Sequence, residues 1–188
     1  PKPKKTIAGE LKWNTDDWDI LVNKLVLVNG TFQNDIQTER QPFPYFDGNH
    51  LQFASINATI EHISWQKDTI SANIKISTKE RSGFTVKSLK SKFSFHPEGM
   101  IFKNLEILTP NSRLSNYFAL RYKNFNADMS DFLEKVKMEG NFINSSISSA
   151  DIAFFAPELK DLNKTLRVNG YVSGTVANIQ AKKFNLQY

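Results

Sequence analysis

Three histidines, His50, His62 and His96, are the side chains best suited to metal or proton chemistry in this sequence. His50 closes the turn-like DGNH, His62 sits in a strand-like pattern, and His96 opens the turn HPEG. None has an acidic or histidine neighbour at ligand spacing, so no metal site and no general base is expected. Asp16–Asp17 and Asp128/Asp131 come nearest to paired carboxylates. The first pair lies in a polar turn and the second at a helix start, where capping accounts for them more simply than acid–base work. Ser145–Ser146 and Ser148–Ser149 lack the Gly-x-Ser-x-Gly context of a nucleophile elbow. Gly170 and Gly174 fall at strand parity rather than before a helix, so they form no phosphate loop and instead leave room for a close neighbour or a bend. Asn29, Asn57, Asn144 and Asn163 each open a glycosylation sequon, a tripeptide too frequent to establish secretion. The expectation is a chain with no catalytic residue, no metal and no cofactor, and not an enzyme.

Composition agrees with a folded binding or structural role. Of 188 residues, 40% are hydrophobic and 23% charged, and no apolar run approaches a transmembrane helix. No signal peptide is legible, since PKPKK is followed only by TIAGELKW. The missing initiator Met and an ending inside a strand pattern predict a piece of a longer protein. Cysteine is absent, which excludes disulfides, thiolate metal sites and cysteine nucleophiles without fixing the compartment. The net charge is +5, but beyond the N-terminal cluster the basic residues are spread singly, as on a solvated surface.

The elements that would hold any site are strands. Turn signals recur at QKDT (66–69), ERSG (80–83), HPEG (96–99) and TPNS (109–112). Between them apolar and polar residues alternate: Ile56, Ala58, Ile60; Ile70, Ala72, Ile74, Ile76; Leu89, Ser91, Phe93, Phe95. The spacing of about 13–16 residues exceeds the ~8–12 of a sandwich and predicts an all-β fold, a long-stranded antiparallel meander with one buried face. The parity slips between Val86 and Leu89 and between Ala181 and Phe184, which asks for β-bulges and a sheet curled into an open groove or half-barrel. Phe93 and Phe95 point away from Lys90 and Lys92. A nucleic-acid platform would place aromatic and basic side chains together, so nucleic acid is not an expected partner.

Two short helices interrupt the pattern. DMSDFLEKV (128–136) spaces Met129, Phe132, Leu133 and Val136 helically, with Asp128 or Ser130 as cap. SSADIAFFAPEL (148–159) does the same with Ile152, Phe155, Ala156 and Leu159, capped by Ser148 or Ser149 and interrupted at Pro157, giving a helix near 149–159. Upstream, WDILVNKLVLVNGTF (18–32) is apolar on both parities and reads as a strand covered on both sides. The expected organisation is an N-terminal tail and strand pair over 1–45 and a curled antiparallel sheet segment over 46–188.

Several motifs carry a family resemblance: the turn and strand at 68–74, ERSGF at 80–84, LTPNS at 108–112, DIAFFAPEL at 151–159 and NGYVSGTVANI at 169–179. Over residues 46–188 the chain resembles AsmA-like proteins, in particular the TamB type of Bacteroidota. Gly-x-Val-x-Gly-x-Val-x-Asn is the most specific of these likenesses. The resemblance implies a parent protein anchored in the inner membrane and crossing the periplasm as one long curled sheet. Its apolar groove would carry phospholipid toward the outer membrane, with an outer-membrane barrel of the BamA superfamily as partner. It brings no catalytic residues, and the two helices depart from a uniform groove. The candidate lining is Ile56, Ala58, Ile60, Ile70, Ala72, Ile74, Ile76, Leu89, Phe93, Phe95, Val136, Met138, Phe142, Val168, Val172 and Val176. The alternative is a closed β-sandwich binding glycan or protein, in which the same residues fill a dry core. The strand edges are expected to be joined to neighbouring segments of the parent, in which case the isolated fragment pairs edge to edge.

Overall fold

The computed structural model describes residues 12–35, 41–129, 131–175 and 177–187. Nine strands follow one another in chain order: β1 (Ile20–Asp35), β2 (His50–Gln66), β3 (Thr69–Glu80), β4 (Thr85–His96), β5 (Gly99–Leu108), β6 (Arg113–Arg121), β7 (Lys137–Ser148), β8 (Thr165–Thr175) and β9 (Asn178–Gln187). Each pairs antiparallel with the next, in one nine-stranded sheet ordered β1 to β9. The fold is therefore an all-β, long-stranded antiparallel meander. The sheet is open, with β1 and β9 as its edges and no ladder joining them among the described residues. A closed sandwich needs two sheets, and the described strands make one.

Bulges occur throughout. Each of the eight strand pairs contains a register shift. The expected slips are present: Thr78 pairs with Val86 but Ile76 with Leu89, and the β8–β9 register changes around Lys183. Many shifts are marked by a residue in the left-handed region: Asn29, Ser55, His62, Asn104, Asn144 and Lys183. Short polar side chains tolerate that conformation best, which explains three asparagines among them. Asn29 and Asn144, read above as sequons, thus have a backbone reason to be asparagine.

Three short helical pieces join the strands. α1 (Phe125–Met129) and α2 (Phe132–Lys135) precede β7, and α3 (Ser149–Ile152) follows it, with a 3-10 turn at Pro157–Leu159. The single helix expected over 128–136 is thus two pieces, beginning earlier. Asn124 explains the earlier start: its Oδ1 accepts the Ala127 N–H, while Asp128 accepts the N–H groups of Lys123 and Asn124 at 2.6 and 3.0 Å. Of the expected caps, Ser130 lies outside the described residues and Asp128 lies within α1 rather than ahead of a helix; Asp131, which precedes α2, makes no capping bond. Ser148 does cap α3, accepting from the Ala150 N–H. The helix expected near 149–159 is instead a single turn, Ser149–Ile152, and Pro157 opens the separate 3-10 turn, where its missing N–H is not needed.

β1 differs from expectation. Apolar residues on both parities predict a strand covered on both sides, but β1 is an edge strand, exposed on both faces; Leu21 and Val28 are 74% and 75% exposed. Hydropathy on both parities does not distinguish a doubly covered strand from an uncovered one.

Candidate functional site: the apolar face of the sheet

Directly opposed residues in antiparallel strands project from the same face, so the register shows which side chains stand together. One row crosses all nine strands: Ile20, Trp65, Ile70, Phe95, Met100, Leu120, Met138, Gly174 and Ile179. Each member is apolar or glycine. A second row runs Ala72, Phe93, Phe102, Phe118, Gly140, Val172 and Ala181. A third runs Leu27, Ala58, Ile76, Leu89, Ile107 and Leu114. These rows lie on one face and run perpendicular to the strands.

The opposite face is polar. Asn73 opposes Lys92, Lys75 opposes Lys90, and Lys90 opposes Glu106. The lysines near Phe93 and Phe95 are therefore on the other side of the sheet.

The predicted lining falls on the apolar face wherever a strand carries it. Ala58, Ile76 and Leu89 share one row; Ala72, Phe93 and Val172 another; Ile70, Phe95 and Met138 a third. Ile60 opposes Ile74, Ile56 opposes Gly30, Phe142 opposes Gly170 and Val168 opposes Ser145. Val136 is buried at the end of α2, ahead of β7 rather than in a strand. Val176 lies outside the described residues. Trp65, Met100, Phe102, Phe118 and Leu120 complete the rows and were missed. Met100 and Phe102 alternate cleanly, and so do Phe118 and Leu120, but the bulge at Asn104 and the polar Asn116 hide the continuity of β5 and β6.

The middle of this face is only partly covered: Leu105 and Ser91 are buried there, and the residues around them are not. Among the described residues the buried apolar side chains are Ala58, Leu105, Ala119, Tyr122, Val136 and Val168, a thin core for a chain of this length. Ile74, Phe93, Phe102 and Phe118 are half-buried. Phe93 and Phe102 stack at 5.0 Å between ring centroids and Phe102 reaches Phe118 at 6.4 Å, forming an aromatic band across three strands. Ser91 interrupts the apolar face, but its hydroxyl donates to the Lys103 carbonyl at 2.9 Å and is buried.

Both ends of the face are capped. At the end near the β2–β3 turn, Trp13 lies over Phe95 at 4.3 Å, and Phe125 of α1 meets Phe95 at 5.7 Å and Tyr122 at 5.6 Å. Asp68 holds Trp13 there by accepting the N–H groups of Trp13 and Asn14 at 2.7 and 3.0 Å. Those bonds hold its carboxyl below the ordinary value. Desolvation pushes the Tyr122 phenol up to about 12, and its O–H donates to the His96 carbonyl. At the other end, Phe84 packs on Phe154 and Phe155, and Phe155 on Phe46. There Asp151 joins α3 to the β5–β6 turn, accepting from Thr109 Oγ1, Ser112 Oγ and Asn111 Nδ2.

Beneath α3 lies a cleft of about 270 Å³, lined by Phe84, Val86, Leu89, Ile107, Leu114, Ile147, Ile152 and Phe155, with Asp151, Thr109 and Ser112 at its rim.

The histidines make no cluster. His50 Nδ1 lies 3.2 Å from Asp35 Oδ1, a pairing across β1 and β2 that sequence spacing did not reveal. With Gln33 as the larger contributor, His50 helps hold the Asp35 carboxyl below its usual value. His62 contacts Asn73, and His96 accepts the Glu98 N–H. Among the described residues no group of three or more His, Asp or Glu side chains could hold a metal ion, and no helix is long and apolar enough to cross a membrane.

Fold and face together define an open amphipathic β-meander with a broad, partly uncovered apolar side. No family model, curated protein or solved structure matches the chain.

Proposed function

We propose that this chain is a non-enzymatic segment of a periplasm-spanning bridge of the AsmA-like, TamB type, in a parent protein anchored in the inner membrane. Its apolar face shelters phospholipid acyl chains in transport to, and assembly of, the outer membrane. The observation that carries this reading is the set of three transverse apolar rows on one face: the first crosses all nine strands beneath the Trp13–Phe125 cap, and the other two run beside it across the middle and far end of the face. Exposing an acyl chain to water costs about 0.8 kcal/mol per methylene, so a chain of about 16 carbons faces on the order of 13 kcal/mol without shelter. Only a continuous lining offsets that, and a row perpendicular to the strands supplies one. The motif resemblance over 46–188 points the same way and supplies the outer-membrane barrel of the BamA superfamily as the partner.

The test is lipid mass spectrometry on protein purified without detergent, beside Phe102→Asp, which sets a charge in the middle of the aromatic band. Phospholipid accompanies the wild type and is depleted in the variant. Wild-type protein that carries no lipid overturns the reading, as does equal lipid in both.

A further inference from the structure

We infer that the cleft beneath α3 is a binding site for the hydrocarbon end of a single fatty acyl chain, with Asp151 latching its roof. The inference rests on the lipid reading above and assigns one part of the face a distinct task. The floor of the cleft is sheet, with Leu89, Ile107 and Leu114 belonging to the third transverse row. The roof is Ile152 and Phe155, and Phe84 stands with Phe155 at one end.

Three features decide the chemistry of the occupant. The polar atoms at the rim are spent on one another, because Asp151 takes hydrogen bonds from Thr109, Asn111 and Ser112, and Ser112 Oγ in turn accepts the Ser148 N–H at 2.9 Å. Water needs two or more polar partners in a cavity, so this one favours a hydrocarbon. The volume of about 270 Å³ is below the ~300–1,000 Å³ of sites that engulf a whole ligand, which suits a chain end rather than a lipid molecule. Finally, the shared row makes the cleft continuous with the open face, so its occupant is elongated and extends onto the sheet.

The latch makes the roof a fixed one. Asp151 is buried, and its three donors all come from the β5–β6 turn, so α3 is tied down across about forty residues of sequence by charge-assisted bonds. An acyl chain lying along the face therefore passes beneath a fixed roof here.

The experiment is fluorescence titration of the full chain, free of detergent, with cis-parinaric acid, followed by displacement with saturated fatty acids of increasing length. The wild type binds one parinarate per chain saturably. Ile107→Trp fills the cleft from the floor and Ile152→Trp from the roof; each weakens binding by about tenfold or more, as expected for an occupied apolar pocket. Thermal unfolding verifies the fold, and Ile152→Trp keeps the test decisive if the floor variant does not fold. Asp151→Asn, which keeps the shape and removes the charge, weakens binding and speeds release. Parinarate binding that survives both tryptophans overturns the site, as does absence of parinarate binding in protein that still carries phospholipid; neither result touches the wider lipid reading. Absence of both parinarate and phospholipid overturns the two together.

Discussion

Asp68 lies in the β2–β3 turn, yet two backbone N–H bonds make it the anchor that holds Trp13 over one end of the apolar face. Asp128 is held below its ordinary value by backbone N–H groups of Asn124 and Lys123, and Asp35 by side-chain hydrogen bonds with Gln33 and His50. A carboxyl whose native pKa is depressed contributes stability above its unfolded value and loses it as pH falls through the native one. The contribution of these three groups is therefore intact above the ordinary 3.8 and disappears below it. Thermal melts across acidic pH show the fall. In Asp68→Ala the acid dependence is shallower and tryptophan emission shifts to the red at neutral pH as Trp13 is released. An unchanged emission spectrum in that variant refutes the anchoring role.

Among the elements, the β8–β9 hairpin shows how local geometry limits sequence. Gly174 has φ +134°, and a Cβ there would stand 2.0 Å from the Asn178 carbonyl oxygen. Neither the angle nor the space admits a side chain, so Gly174→Val costs about 1–3 kcal/mol, read as a lowered denaturation midpoint in urea; a midpoint within error of wild type contradicts this account. The close neighbour that the strand parity of Gly174 suggested is that carbonyl. Strands β2, β3, β4 and β8 were legible because alternation over long segments is the strongest sequence signal for a one-sided sheet. The bulges at Val86–Leu89 and around Lys183 were legible as parity slips. Those at Ser55, His62, Asn104 and Asn144 were not, because mixed polar and apolar neighbours on both parities hide the slip there. The Asp151 cluster was legible only as two separate motifs, LTPNS and DIAFFAPEL. Their joining depends on the β7–β8 connection folding back over the sheet, which no local pattern encodes.

For the molecule as a whole, the two edges of the sheet are unlike. β9 carries Lys182 and Lys183, the charged edge that discourages strand addition. β1 carries Leu21, Leu25, Val26 and Val28 exposed, and its lone cation, Lys24, is paired sideways with Glu61 at 3.1 Å. Among the described residues, the stretch of β1 ahead of the Asn29 bulge carries no unpaired charge that resists pairing with a second copy. A two-fold axis normal to the sheet keeps the apolar faces on one side, and centring the pair on Val26 sets Leu25 opposite the second copy's Leu27. Both of these leucines lie on the apolar face, through their partners Ile60 and Ala58. In that register Lys24 meets Val28 rather than another lysine, and the transverse rows run on from one sheet into the next. We expect sedimentation to show a concentration-dependent dimer of the isolated chain. Val26→Lys combined with Val28→Lys places like charges along the edge and weakens the dimer by about tenfold or more. Because both positions are exposed, the thermal midpoint of the monomer moves little. A chain that stays monomeric at every concentration, or a dimer indifferent to the two lysines, shows that β1 is not the associating edge.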